Sequence, residues 1–195
     1  MIIGITGNMG TGKSTVARML AQKGALHIDV DQVAKDIMQN DEAVLQSIVH
    51  EFGDAFLCKQ GTLDYKMLGA RVFGDQASLT KLEALVHPKT IQEVRNLVDT
   101  YSDHRDVVID AALLVETDMH LEVDQIWVTH CTEEIQLQRI QQRSSLTKDE
   151  IQKRLAAQMP YEKKKEYAHH LIDTSGGLEA LQKTVDELWQ TLQEQ

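Results

Sequence analysis

The sequence predicts an α/β fold built on a five-stranded parallel sheet, and three observations carry that expectation. Short β-branched runs alternate with helical patterns over most of the chain. The first run opens into a glycine-rich loop and then a helix, ITGNMGTGKST. Between about 41 and 105 the alternation stops and only helical patterns remain, apolar enough to pack as an insertion rather than serve as a linker.

Met1–Thr6 is a β-branched run ending in glycines, as a buried strand does. Lys13–Gln22 carries Val16, Met19 and Leu20 at helical spacing. Leu26–Asp29 is a second strand and Gln32–Met38 a second helix. The insertion holds helical patterns at Glu42–Phe52, Tyr65–Phe73, Ser78–Val86 and Lys89–Tyr101, the last two separated at His87-Pro88, which reads as a helix break. Strands return at Asp106–Asp110 and Gln125–His130. Thr132 is placed as an N-cap, with Glu133 and Glu134 where the helix dipole favours acids, and this helix runs to about Arg143. Thr147-x-x-Glu150 is a capping box that opens another helix. His170–Asp173 is the last strand. Leu178, Leu181, Val185, Leu188, Trp189 and Leu192 form the stripe of a terminal helix. Trp127 and Trp189 sit in apolar patterns and read as core.

The 195 residues suit one domain with an inserted sub-domain. Two prolines and no low-complexity run argue against disorder. Cys58 and Cys131 form no C-x-x-C, which predicts neither a disulfide framework nor a zinc site and suits a reduced, cytoplasmic setting. No basic signal start and no apolar run near ~18 residues predict a chain without a membrane partner. Twenty Lys+Arg against 30 Asp+Glu set the net charge at −10, which repels a nucleic-acid backbone. Small polyanions stay open to a locally positive pocket. A monomer is the default quaternary expectation.

Gly7-Asn8-Met9-Gly10-Thr11-Gly12-Lys13-Ser14 matches G-x-x-x-x-G-K-[ST] at every fixed position. The glycines let backbone N–H groups turn toward phosphates, and the following helix N-terminus adds its positive dipole. Gly10, Thr11, Gly12, Lys13, Ser14 and Thr15 are therefore the expected nucleotide cradle. Lys13 reaches the β- and γ-phosphates, and the Ser14 hydroxyl is the expected Mg²⁺ ligand. Four of the 11 glycines crowd into the first 12 residues, which a plain strand-to-helix turn does not require. The motif identifies a phosphate donor and says little about the acceptor. No N-K-x-D motif supports a guanine switch, and the loop fails G-x-G-x-x-G.

Asp29 and Asp31 end the second strand, and i, i+2 residues of a strand share a face, so both carboxylates are expected at one cleft beyond the strand end. A hydroxyl acceptor needs one carboxylate to orient it and take its proton. Asp31 serves equally well as a helix N-cap, and the two roles stand side by side, nor do they exclude each other. Asp110 closes a hydrophobic strand as a Walker-B acid does and is the second expected metal-side residue, an ordinary strand-end turn being the alternative.

Residues 139–165 hold eight of the chain's 20 basic residues against three acids, a local charge of +5. Arg139 and Arg143 are i, i+4 neighbours, a repulsive pair unless an anion such as a triphosphate sits between them. Both are candidate catalytic cations with Lys13 and Asp31, whereas Lys163–Lys165 read mostly as surface. No histidine pair has metal-ligand spacing on a helix.

In order along the chain, ITGNMGTGKST, IDVD with Val33-Ala34, Leu63-Asp64 leading to LGARVFGD, His87-Pro88, ALLVE at 112–116, QLQRIQQR at 136–143, AAQMP at 156–160 and LIDTSGG at 171–177 resemble the dephospho-CoA kinases. The resemblance covers nearly the whole chain. It implies a P-loop kinase core (1–40, 105–140 and 167–195), a helical acceptor domain (41–104) and a small helical lid (141–166). It implies transfer of the ATP γ-phosphate, with Mg²⁺, to the ribose 3′-hydroxyl of dephospho-CoA, the last step of coenzyme A synthesis. Asp31 maps onto the base, Arg143 onto the lid arginine, and Thr174–Gly177, with Ser175 and Gly176 at its centre, onto the adenine loop. His87-Pro88 is expected beside the acceptor cleft. Two departures are Ala112, where the family often has Pro, and Pro160-Tyr161, where many members carry an Arg; Lys163 or Lys164 is the available substitute. Other small-molecule kinases, acting on a nucleoside, nucleotide or sugar acid, and a non-catalytic nucleotide switch are the rival readings.

Overall fold

The computed structural model describes residues 1–144 and 146–194. Ser145, inside the expected lid, and Gln195, the last residue of the expected core, lie outside the described residues. Strands β1 (Ile2–Thr6), β2 (Leu26–Asp29), β3 (Val107–Asp110), β4 (Gln125–His130) and β5 (His170–Asp173) form one parallel sheet in the order β2-β3-β1-β4-β5. The register aligns Asp29 with Asp110, Ile5 with both Asp110 and Trp127, and His130 with Asp173. The carboxyl edge of the sheet therefore presents Thr6, Asp29, Asp110, His130 and Asp173 in one row.

Side chains alternate between the two faces, as the pleat demands. Val108 and Trp127 pack on one face with Val16 and Leu20 of α1 (Lys13–Gln22), and with Leu181 and Val185 of the terminal helix. Val107, Ile109, Ile126 and Val128 pack on the other, with Leu114 and Met119. Trp127 is fully buried, and Trp189 packs against the same cluster, as expected.

The insertion supplies its own core. After α2 (Val30–Asn40), the helices α3 (Glu42–Phe52), α4 (Tyr65–Val72) and α5 (Gln76–Tyr101) bury Val44, Ile48, Leu68, Val72, Leu79 and Val86 together. The expected break at His87-Pro88 does not occur: α5 runs unbroken for 26 residues with Pro88 inside it. Tertiary packing overrides the local signal. Leu79 and Val86 anchor one half of α5 in the insertion's core, and Val94 anchors the other half in the sheet's. Buried Thr90 returns a side-chain bond to the Val86 carbonyl (3.0 Å), within the turn that spans the proline.

The remaining helices are α6 (Glu133–Arg143), α7 (Lys148–Ala156), α8 (Tyr161–Lys164) and α9 (Leu178–Gln193). Thr132 caps α6 through the Ile135 N–H (3.4 Å). Thr147 and Glu150 form the full capping box of α7.

Candidate active site

The loop between β1 and α1 is held from three sides. Gly10 and Gly12 have φ of 85° and 90°, in the left-handed region that favours glycine. A Cβ on Gly10 would stand 2.8 Å from Ile140 Cγ1, so the α6 helix also requires glycine there. Thr11 Oγ1 bonds the Asn8 carbonyl and Thr129 Oγ1, each at 2.8 Å. The N–H groups of Gly10, Gly12, Lys13 and Ser14 find no backbone acceptor among the described residues. With no side-chain cap on α1, they form an open ring of donors at the helix's positive end.

Lys13 lies under this ring, 9% exposed, with Nζ 3.4 Å from the Asn8 carbonyl. Burial pushes its ammonium below the ordinary lysine value, while Asp110, Asp31 and Asp29 hold it up and Lys164 pushes it down. Asp110 ends β3 at 4% exposure, and its Oδ2 has no hydrogen-bond partner among the described residues. His27 Nε2 is 3.6 Å from that oxygen.

Asp29 and Asp31 do not sit as strand neighbours. The helix begins at Val30, so Asp29, not Asp31, is the N-cap, accepting the Gln32 N–H at 3.0 Å. The cap forces the chain to turn two residues earlier than the strand pattern suggests, and Asp31 enters the first turn of α2. This frees the Asp31 carboxyl from a capping role. Asp31 is reached by solvent, yet the protein packed around its carboxyl raises its pKa above the ordinary aspartate value, opposed by Lys13 and assisted by Asp29 and Asp110. Lys13, Asp31, Asp29 and Asp110 thus form one charge cluster.

Arg139 and Arg143 part company. Arg139 donates to Thr174 Oγ1 (2.9 Å) and the Thr174 carbonyl (2.6 Å). Thr174 is buried and reaches the Thr11 carbonyl at 2.8 Å. Arg139 is therefore tied to the 174–177 loop, while Arg143 is exposed at the end of α6. Ser175 accepts the Thr132 N–H (3.2 Å) and donates its own N–H to Asp173 (2.8 Å), leaving Gly176 exposed beside it.

Sequence reasoning missed a strap. Gln158 Oε1 accepts the Met9 N–H at 2.9 Å, and Asn8 Nδ2 donates to the Met159 carbonyl at 3.2 Å. The Met159 N–H in turn reaches Glu116 Oε1 at 2.9 Å. Gln136 Nε2 holds the Met9 carbonyl at 2.7 Å from the other side. Lys164, read as surface, is fully buried. In a helical turn three successive lysines point about 100° apart, so one of Lys163–Lys165 must face the protein. That one is Lys164, with Glu116 as its counter-charge (2.8 Å).

Known proteins resemble the chain in sequence and fold. The dephospho-CoA kinase family model matches residues 1–180. The chain belongs to the dephospho-CoA kinase family. The dephospho-CoA kinase of Geobacter sulfurreducens is 38% identical over 190 residues, 96% of each chain. That of Shouchella clausii is 39% identical over 197 residues, the full length of both. Among solved structures, a Thermus thermophilus protein superposes with a TM-score of 0.79 at 31% identity, over 98% of this chain and 97% of its own. The sheet order and the loop-to-helix cradle described above are those of a dephospho-CoA kinase family member with a P-loop kinase fold.

Proposed function

We propose that the protein transfers the γ-phosphate of ATP to the ribose 3′-hydroxyl of dephospho-CoA, completing coenzyme A. The observation that carries this reading is the Asp31 carboxyl, free of capping duty and raised in pKa, facing the same charge cluster as Lys13 beside an open ring of phosphate-binding N–H groups.

In this reading Gly10–Thr15 cradle the ATP phosphates and Lys13 neutralises the bridging charge. Asp31 accepts the hydroxyl proton as the new O–P bond forms, and a carboxyl with raised pKa is the stronger base for that step. Arg139 and the 174–177 loop carry the nucleotide end. Arg143, at the lid's hinge, reaches the γ-phosphate on closure and stabilises the charge that builds there. Residues 141–166 act as the lid that excludes water, a competing acceptor, and 41–104 as the acceptor domain.

The residues also fit Mg²⁺. Asp110 offers a buried carboxylate oxygen without a partner, and Ser14 a hydroxyl, both hard oxygen donors. Among the described residues no group of three or more His, Cys, Asp or Glu could hold a metal, which suits an ion completed by water and phosphate oxygens. When bound, the ion neutralises charge on the transferring phosphate.

No helix among the described residues is long and apolar enough to cross a membrane, and the net charge of −10 opposes nucleic-acid binding. Both suit a cytoplasmic enzyme of small-molecule substrates. Steady-state kinetics of ADP release test the reading: turnover with dephospho-CoA and its loss in Asp31→Asn support it, and an unchanged kcat in Asp31→Asn removes the base.

A further inference from the structure

Arg154, in the last turn of α7, forms no salt bridge among the described residues, and the one acid that acts on it is Glu150, a turn back on the same helix. Its guanidinium carbon lies 4.3 Å from the centre of the Phe73 ring, immediately after α4. Its Nη2 rests against Gly69 of the same helix, where an added Cβ would stand 3.3 Å away. Nε is buried and has no hydrogen-bond acceptor among the described residues. The acid one turn back, Glu150, is already engaged, taking the Thr147 N–H and hydroxyl at 2.7 and 2.8 Å. Arg154 and, from α4 across the same seam, Lys66 both act on Glu150, so the seam holds two cations around one acid whose hydrogen bonds go elsewhere.

Arginine stays charged in proteins, and a partly buried guanidinium with an unmet N–H costs free energy until an acceptor arrives. Phe73 fixes the plane of the fork, and a fixed fork presents paired N–H groups to paired phosphate oxygens. We infer that Arg154, held by Phe73 and Gly69, forms an anion subsite at the seam between lid and insertion, and that it takes the diphosphate of the acceptor. The inference rests on the dephospho-CoA reading above. The acceptor is favoured over ATP because the ATP phosphates already have Lys13 and the N–H ring. Arg154's neighbours instead belong to α4, whose Leu68 and Val72 pack into the insertion's own core.

The test compares wild type, Arg154→Lys and Arg154→Gln. It measures KM for dephospho-CoA, KM for ATP, and the inhibition constant of adenosine, which has the ribose but no diphosphate. Losing a charge-assisted bond pair raises KM for dephospho-CoA by about ten- to hundredfold in Arg154→Gln. Arg154→Lys, which keeps the charge and loses the fork, loses less. KM for ATP and the adenosine constant stay within about twofold. Three results overturn the subsite: an equal loss of adenosine affinity, a fall in kcat with KM unchanged, or no change in either variant. If Arg154→Gln does not fold, the Arg154→Lys arm decides alone by the same ratio. A wild type inactive with dephospho-CoA refutes the parent reading instead, and shows this before any variant is made.

Discussion

Lys164 Nζ lies 2.8 and 3.0 Å from the two carboxylate oxygens of Glu116 and 2.5 Å from the Ala112 carbonyl. The same carbonyl accepts the Thr6 hydroxyl at 3.3 Å, so one buried ammonium joins the end of β1, the 111–116 segment and the strap that grips Asn8 and Met9.

Breaking this pair from the Glu116 side leaves an uncompensated buried charge. Glu116→Gln is expected to lower stability by about 2–4 kcal/mol, whereas Lys164→Met, which removes the charge and keeps the volume, costs less. Burial already lowers the Lys164 pKa, opposed by Glu116. Without Glu116 the folded-state pKa falls further below the unfolded one. Between those two values the unfolded chain binds more protons, so stability rises with pH. Urea midpoints should show the Glu116→Gln deficit shrinking from pH 7 toward pH values near the ordinary lysine pKa. A deficit independent of pH would assign the loss to packing.

Asp31→Asn removes the proposed base and should lower kcat by about 10²–10⁴-fold, with KM for ATP within a few-fold. The raised Asp31 pKa places the acid limb of the wild-type rate above the ordinary aspartate value, activity falling as pH drops through it. A pH–rate profile checks this. An acid limb that survives in Asp31→Asn at the same position would belong to another group.

The cradle and the sheet were legible in the sequence because their requirements are local. The glycine positions at 10 and 12 answer to backbone φ, and β1 and β3 answer to runs of β-branched residues, so both appear at or within a residue of where the pattern puts them. What was not legible depends on partners far along the chain. Asp31 left the strand because Asp29 won the cap, a choice the side-chain types leave even. Pro88 stayed helical because Val86 and Val94 are held in two different cores. Lys164 looked like one of three surface lysines until Glu116, 48 residues away, came into contact.

Thr174→Val keeps the shape of a buried side chain and deletes the hydroxyl's bonds to Arg139 and to the Thr11 and His130 carbonyls, leaving Arg139 only the Thr174 carbonyl. Losing a buried bond to a charged group costs about 1.5–3 kcal/mol, or roughly ten- to hundredfold in affinity. The loss should fall on KM for ATP and spare KM for dephospho-CoA, as initial-rate kinetics with each substrate varied would show. An equal rise in both constants would detach Arg139 from the nucleotide end.

Pro88→Ala restores a donor inside α5. Proline is about 3 kcal/mol poorer than alanine in a helix interior, so the variant should gain about 1–3 kcal/mol and a higher Tm by calorimetry. A lower Tm would mean that the proline ring itself contributes to the packing of α5.

The most direct measurement is ADP release with MgATP, comparing dephospho-CoA, adenosine, AMP and no acceptor. Turnover confined to dephospho-CoA, with coenzyme A as the product, is the predicted result. Turnover with a different acceptor, or ATP binding with no turnover above background in any tube, would contradict the assignment.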